Sequence, residues 1–291
     1  MDRQLIIILG PTASGKSALG VRLAKKFHGV IISADSRQVY SGLNLGTGKV
    51  TKREMDGVPH FLLDVAAPRG QYSVDRYVRD VARVLQHIPA RTPIFLVGGS
   101  PFYIDALTKP GAYSPVPPNP ALRRRLEKKS TPLLIAMLKK KNPERAKTID
   151  PANRRRLIRA IEVANDKKTR TFPVLPPFDI LQLGTKISKP KLHTNIARRV
   201  DRRLQAGMIN EVRQLHRQGL SWKRLDAFGL EYRYLAAYLQ KNITKPEMVA
   251  QLNSAIRHFA KRQMTWWKRD QDIVWVTPTQ AIPLVKKFLR P

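Results

Sequence analysis

Residues 10–17, GPTASGKS, follow the apolar run LIIIL and fit the pattern Gly-x-x-x-x-Gly-Lys-Ser/Thr. In that arrangement Gly10, Pro11, Thr12, Ala13, Ser14 and Gly15 form a loop whose backbone N–H groups face phosphate oxygens at a helix N-terminus. Lys16 then reaches the phosphates as a point charge, and the Ser17 hydroxyl is placed to ligate Mg²⁺. The motif specifies a phosphate and leaves open what the phosphate is attached to. A second chemical stretch follows at 34–49, ADSRQVYSGLNLGTGK. Asp35 falls at the carboxyl end of an apolar run, where doubly wound sheets bind their ligands. An acid there can be a metal ligand, a helix cap or a general base. Ser36, Arg37 and Gln38 crowd the same turn with hydrogen-bonding groups. A nucleotide hydrolase also needs an acid after a later strand to hold its metal. The run PIFLVGGS at 93–100 has none, and Gly98, Gly99 and Ser100 stand there instead. Asp64, in FLLDV, lies between loops. Diphosphate binding is therefore well supported and ATP hydrolysis poorly.

These residues need a scaffold. Short apolar runs at 4–9, 30–34 and 93–100 read as buried strands. Helical patterns lie between them at 14–27 and 73–88, the latter through Val74, Tyr77, Val78, Val81, Leu85 and Ile88. The alternation predicts an α/β fold of the P-loop NTPase-like type, a parallel sheet flanked by helices. Five prolines in 110–120 make an extended connector. Basic helical segments follow at 119–129, 132–141 and 153–166, and FDILQLG at 178–184 returns as a strand. Residues 112–176 thus read as a helical insertion domain, with 1–111 and 177–291 as the catalytic core. One long helix is expected over 194–218, ended by Gly219. Another is expected over 246–268, with Val249, Leu252, Ile256 and Phe259 inward, and a last strand over 272–277. The chain stops soon after it, so no appended zinc-finger domain is expected.

The chain has 291 residues, with 54 Lys and Arg against 21 Asp and Glu, a net charge of +33. Such a balance points to a polyanion, most commonly nucleic acid. Residues 110–177 hold 17 basic and 5 acidic side chains, and residues 186–270 hold 19 and 6. These segments, rather than the one with the phosphate loop, are the expected polyanion-facing parts. No apolar stretch is long enough to span a membrane. The absence of cysteine removes disulfides and thiolate sites and fits the reducing cytoplasm.

In order, GPTASGKS, ADSRQVYSGLNLGTGK, VPHFLLDV, LVGGSPFYIDAL, RRRLIRAIEV and FAKRQMTWWKRD resemble the tRNA dimethylallyltransferases. The likeness runs from about residue 5 to 270, and DSRQVYSGLNLGTGK is far more specific than the loop. It implies transfer of a dimethylallyl group from dimethylallyl diphosphate to the N6 amine of the adenosine 3′ to a tRNA anticodon. The loop would then hold the isoprenoid diphosphate, consistent with the missing acid. The resemblance gives Asp35 the part of general base. Lys16 and Arg199 would stabilise the leaving diphosphate, and Ser17 would ligate Mg²⁺. Ser36, Gln38, Gly98, Gly99 and Ser100 would stand near the adenine, and Arg156 and Arg159 near the tRNA. Asn195 stands where relatives usually have Arg, and Ser100-Pro101 departs from the commoner Thr-Gly. Among Arg198, Arg199 and Arg202, the sequence does not settle which faces the diphosphate. His60 reads as structural, one of Trp266 and Trp267 as core with base stacking open to the other, and AFGLEYRYL carries no assignment. The expected partners are the tRNA anticodon stem-loop and dimethylallyl diphosphate, the expected state a monomer. The competing readings are a P-loop small-molecule or nucleotide kinase and a non-catalytic RNA-binding descendant. The kinase leaves the charge and the DSRQVY segment unexplained. Intact Lys16, Ser17 and Asp35 argue against the non-catalytic descendant.

Overall fold

The computed structural model describes residues 2–109, 111, 113–168 and 170–290. Pro110 and Ala112 in the expected connector, and Thr169 in the expected insertion, lie outside them. The first part of the chain runs β1 (Arg3–Leu9), α1 (Lys16–Lys26), β2 (Val30–Ser33), α2 (Lys52–Met55), β3 (His60–Phe61), α3 (Val74–His87), β4 (Ile94–Val97) and α4 (Pro101–Thr108). Four helices follow: α5 (Pro120–Glu127), α6 (Thr131–Lys141), α7 (Pro143–Thr148) and α8 (Arg154–Asn165). The chain returns through β5 (Phe178–Thr185), α9 (Lys189–Gln205), α10 (Met208–Arg217), α11 (Trp222–Phe228), α12 (Leu230–Leu239), α13 (Lys245–Trp267), β6 (Ile273–Val276) and α14 (Pro278–Phe288).

Among the described residues six strands form one parallel sheet, in the order β3-β2-β4-β1-β5-β6. β1 lies inside it, with Ile6 opposite Phe95 of β4 and Leu181 of β5. Its side chains alternate faces, as a strand requires. Leu5, Ile7 and Leu9 enter one core with α3 and the helices of the second half, while Ile6 and Ile8 enter another with α1 and α14. Both faces are covered, which is why the strand is an unbroken apolar run. Because every strand is parallel, all six carboxyl ends lie on one edge of the sheet. The phosphate loop, Asp35, Gly98 and Thr185 are gathered there by topology alone.

Helices α5 to α8 surround a separate apolar cluster that includes Leu126, Leu134, Leu138, Leu157 and Ile161. Glu162, also buried there, accepts hydrogen bonds from Arg123 (2.6 and 2.9 Å) and from Arg159 (2.7 Å).

Three sequence expectations change. The single helix over 194–218 is two helices, α9 and α10, because Gly207 takes the left-handed conformation (φ +97°) between them. The buried stripe of α13 is Met248, Leu252, Ile256, Ala260, Gln263 and Trp267, and Phe259 stands beside it, half-exposed. The helices α2, α4, α7, α11 and α12, the short β3, and the terminal α14 are additional. α14 escaped notice because Pro283 interrupts its pattern.

Candidate active site

The loop leaves β1 and closes on α1, whose first residue is Lys16. Side chains from later elements hold it on several sides. Thr185, at the end of β5, donates to Ser14 Oγ (2.6 Å). Asn195 of α9 donates to the Ala13 carbonyl (3.2 Å), and Arg199 Nη2, one turn on, donates to Thr12 Oγ1 (2.7 Å). Gln263, buried on α13, accepts from the Thr12 N–H (2.8 Å) and donates to the Gly99 carbonyl (2.7 Å). It ties the phosphate loop to the end of β4. On the β5 side a cavity of about 710 Å³ opens, lined among others by Pro11, Thr185, Arg257, Lys261 and Met264.

The glycines after β4 have a steric reason. A Cβ on Gly98 would lie 2.1 Å from the Ala34 carbonyl oxygen, and one on Gly99 would lie 2.5 Å from Gln263 Nε2. Both distances are far inside van der Waals contact, so only glycine lets the ends of β2 and β4 meet here. Ser100 N–H then donates to the Ala34 carbonyl, and Ser100 Oγ accepts the Ser36 N–H (2.9 Å). Asp35 Oδ1 accepts the N–H groups of Arg37 (2.9 Å) and Gln38 (3.4 Å). Oδ2 has no partner among the described residues. The carboxylate is thus oriented through one oxygen and left open at the other.

The electrostatics are those of an anion site. Burial lowers the Lys16 ammonium to about 8; Asp35 opposes the shift, while Arg199 and Arg203 add to it. Burial likewise lowers Arg199 to about 10, with Arg203 adding to the effect. Arg199 Nε is buried with no hydrogen-bond partner among the described residues. A buried, unsatisfied guanidinium donor is expensive unless a ligand oxygen completes it. Arg198 and Arg202 are exposed, so of the three it is Arg199 that α9 turns toward the loop.

Two further carboxylates shape the site. Glu211 on α10 accepts the N–H groups of Asn44 (3.0 Å), Leu45 (2.6 Å) and Gly46 (3.0 Å), and the Tyr232 hydroxyl (2.8 Å). Glu231 pairs with Arg203 (3.2 Å), whose guanidinium packs against Gly48. Gln38 donates across the same turn to the Gly48 carbonyl (3.2 Å). The AFGLEYRYL segment therefore braces the 44–48 loop.

Gly10 to Ser17, Asp35, Ser36, Gln38, Gly98, Gly99, Ser100 and Arg199 come together at the sheet edge. Arg156 and Arg159 do not; they lie on α8, which packs on α5 and α6. Arg156 is exposed, with no side-chain hydrogen bond among the described residues. Arg159 is committed to Glu162 and to the carbonyls of Ser114 (3.3 Å) and Val116 (2.6 Å). Thr185, Arg203, Glu211, Glu231 and Gln263 were not foreseen. A signal existed only for Gln263, a polar residue in step with an apolar stripe. His60 donates through Nδ1 to the Val58 carbonyl (2.8 Å), and burial lowers its pKa against the effect of that bond.

Fold and site together define a protein of P-loop NTPase-like fold, with buried cations at its loop beside an oriented carboxylate and glycines where nucleotide hydrolases carry a metal-binding acid. The family model described as IPP transferase matches residues 38–270, and the chain belongs to that family. It is 42% identical over 271 residues to a tRNA dimethylallyltransferase of Geotalea uraniireducens, covering 92% of this chain and 89% of the relative. A full-length tRNA isopentenylpyrophosphate transferase from Bacillus halodurans superposes with a TM-score of 0.74 at 30% identity, covering 99% and 97% of the two chains. A eukaryotic dimethylallyltransferase solved acting on tRNA shares the fold, with a TM-score of 0.80 at 23% identity over 100% of this chain and 81% of that one.

Proposed function

We propose that the protein transfers a dimethylallyl group from dimethylallyl diphosphate to the N6 amine of the adenosine 3′ to a tRNA anticodon, releasing diphosphate. The observation that carries this reading is the pairing of the phosphate loop, Lys16 and Arg199 with the open oxygen of Asp35, which follows β2 on the same edge of the sheet. A P-loop nucleotide hydrolase makes a different demand. It needs an acid after β4, where packing admits only glycine.

Diphosphate in the loop is neutralised by Lys16, the loop amides and Arg199 Nε. The adenine amine is a weak nucleophile because its lone pair is delocalised into the ring. As N6 bonds to the allylic C1, the C1–O bond breaks and diphosphate departs with the electron pair. Asp35 Oδ2 takes the N6 proton. Charge that grows on the leaving oxygen meets donors already in place. Ser36 and Ser100, linked to each other beside Asp35, bound the pocket for the extruded base together with Gln38. The cavity on the β5 side gives the small substrate an approach apart from the RNA face.

Mg²⁺ fits this site in one way. Among the described residues no group of three or more His, Cys, Asp or Glu could hold a metal. The Ser17 hydroxyl, exposed in the first turn of α1, would be the side-chain ligand at the loop; the Thr12 and Ser14 hydroxyls are engaged by Arg199 and Thr185. That suits an ion held mainly by diphosphate oxygens and water. When bound, it would supply further charge for the departing diphosphate.

The basic α5–α8 unit, within the 112–176 insertion, grips the anticodon stem-loop, with exposed Arg156 among its phosphate contacts and Arg159 bracing the connector. Among the described residues no helix is long and apolar enough to cross a membrane. The reading takes the protein to act on tRNA as a monomer in the cytoplasm. Dimethylallyl diphosphate labelled with heavy oxygen at the bridging position tests the reaction. Label in the released diphosphate, only when tRNA is present, supports C–O cleavage; ATP turnover without it overturns the reading.

A further inference from the structure

Three aromatic rings from three separate segments meet beside the site. Phe102, two residues beyond Ser100, is 48% exposed, an unusual state for a large apolar side chain on the first turn of a helix. Tyr113, from the connector, meets it edge-on at 5.6 Å between centroids, and Trp266 of α13 does the same at 5.3 Å. Asp105 fixes the group from beneath. It is only 7% exposed, and its Oδ2 accepts from Trp266 Nε1 (3.2 Å) and the Tyr113 hydroxyl (3.4 Å). Lys109 offsets the charge of Asp105 and also joins it to Asp270 (2.9 Å). The rings are therefore held at fixed angles, with the exposed part of Phe102 uncovered.

The surroundings select the occupant. Arg262 lies one turn before Trp266 on the same helix face and stacks over Phe259 (5.9 Å). Arg262 and Arg269 are both exposed and unpaired with any acid among the described residues. Aromatic rings interleaved with free arginines suit an unpaired nucleobase and its phosphates. A protein partner's apolar side chain would leave the arginines unmatched. The platform is also tied to the chemistry. Ser100 bonds Ser36 next to Asp35, and Gln263, three residues before Trp266, holds the phosphate loop and Gly99.

We infer that Phe102, backed by Trp266 and Tyr113, is a stacking platform for one unpaired base of the RNA loop other than the adenosine that reacts. It rests on the proposed transfer to tRNA and adds a positioning contact to it. Once an adenosine leaves the loop stack, a neighbouring base loses its own partner. A rigid ring at the rim replaces that partner and keeps the loop open at the reacting position.

The test is binding of anticodon stem-loop RNAs by fluorescence anisotropy, with one abasic nucleotide placed at each loop position in turn. Phe102→Ala should weaken binding of the intact RNA about tenfold, within the range for loss of one base–aromatic stack. With the RNA abasic at the stacked position, the variant and the parent should bind alike. Phe102→Trp should restore binding of the intact RNA. Binding of Phe102→Ala within twofold of the parent, or a loss equal for every abasic RNA, overturns the platform. In parallel, the parent is assayed for modification of the intact stem-loop. If the parent is active and Phe102→Ala binds normally, only the platform falls. An inactive parent removes the transfer reading itself.

Discussion

In the proposed reaction Asp35, after β2, takes a proton from the nucleophile, and Lys16, at the start of α1, meets the charge on the leaving group. Asp35→Asn keeps the size and the oxygen that accepts the Arg37 and Gln38 N–H groups. It removes the basicity, so the transfer rate should fall about 10²–10⁴-fold, while tRNA affinity stays within twofold by filter binding. Lys16 gives the second expectation. Its ammonium, lowered to about 8 chiefly by burial, is charged below that pH and neutral above it. Only the charged form attracts diphosphate. The kcat/KM for dimethylallyl diphosphate should therefore fall as pH rises through about 8. Bound diphosphate favours the ammonium, so kcat should hold to higher pH. A Lys16→Met variant should lose this alkaline limb in a pH–rate profile. The residues within one turn of sequence were legible because the motif fixes its own local geometry. Gln263 was not, since it reaches Thr12 across 251 residues of chain. Glu211 reaches Leu45 across 166, and no periodicity encodes such a pairing.

At the scale of elements, the strands and the phosphate-loop helix follow from the sequence because both faces of the sheet are covered and the apolar runs are unbroken. The break between α9 and α10 was hidden: Ile196, Val200, Met208, Val212 and Leu215 keep a helical rhythm across Gly207, and only its positive φ ends the first helix. That break aims Glu211 at the 44–46 backbone. The α5–α8 unit has its own electrostatic lock. Burial raises the Glu162 carboxyl, but the hydrogen bonds from Arg123, the Asn119 N–H and Arg159 outweigh it and hold it below its usual range. Its stabilisation is complete above the unfolded carboxylate range, about 4.3, and is lost as pH falls through the lowered folded value. Acid should therefore weaken this unit. Glu162→Gln should remove that acid-dependent part and lower stability at neutral pH by about 1–3 kcal/mol, measured by urea unfolding.

Across the whole molecule, +33 of net charge suits a polyanion, and in the proposed reading the parallel sheet gives one edge to chemistry while the helices of the second half and the α5–α8 unit bind RNA. RNA binding through backbone phosphates should weaken with salt, about tenfold or more between roughly 50 and 200 mM for a handful of contacts. Dimethylallyl diphosphate, held in a partly buried site, should respond less. Both are read by titration at several salt concentrations. The central claim is that the loop presents a leaving group attached to carbon. It is tested most directly by incubating the protein with tRNA, dimethylallyl diphosphate and Mg²⁺, then analysing the digested nucleosides by mass spectrometry. The expected product carries one dimethylallyl group on an adenosine next to the anticodon, with an equal amount of released diphosphate. Unmodified tRNA alongside turnover of ATP would contradict the claim.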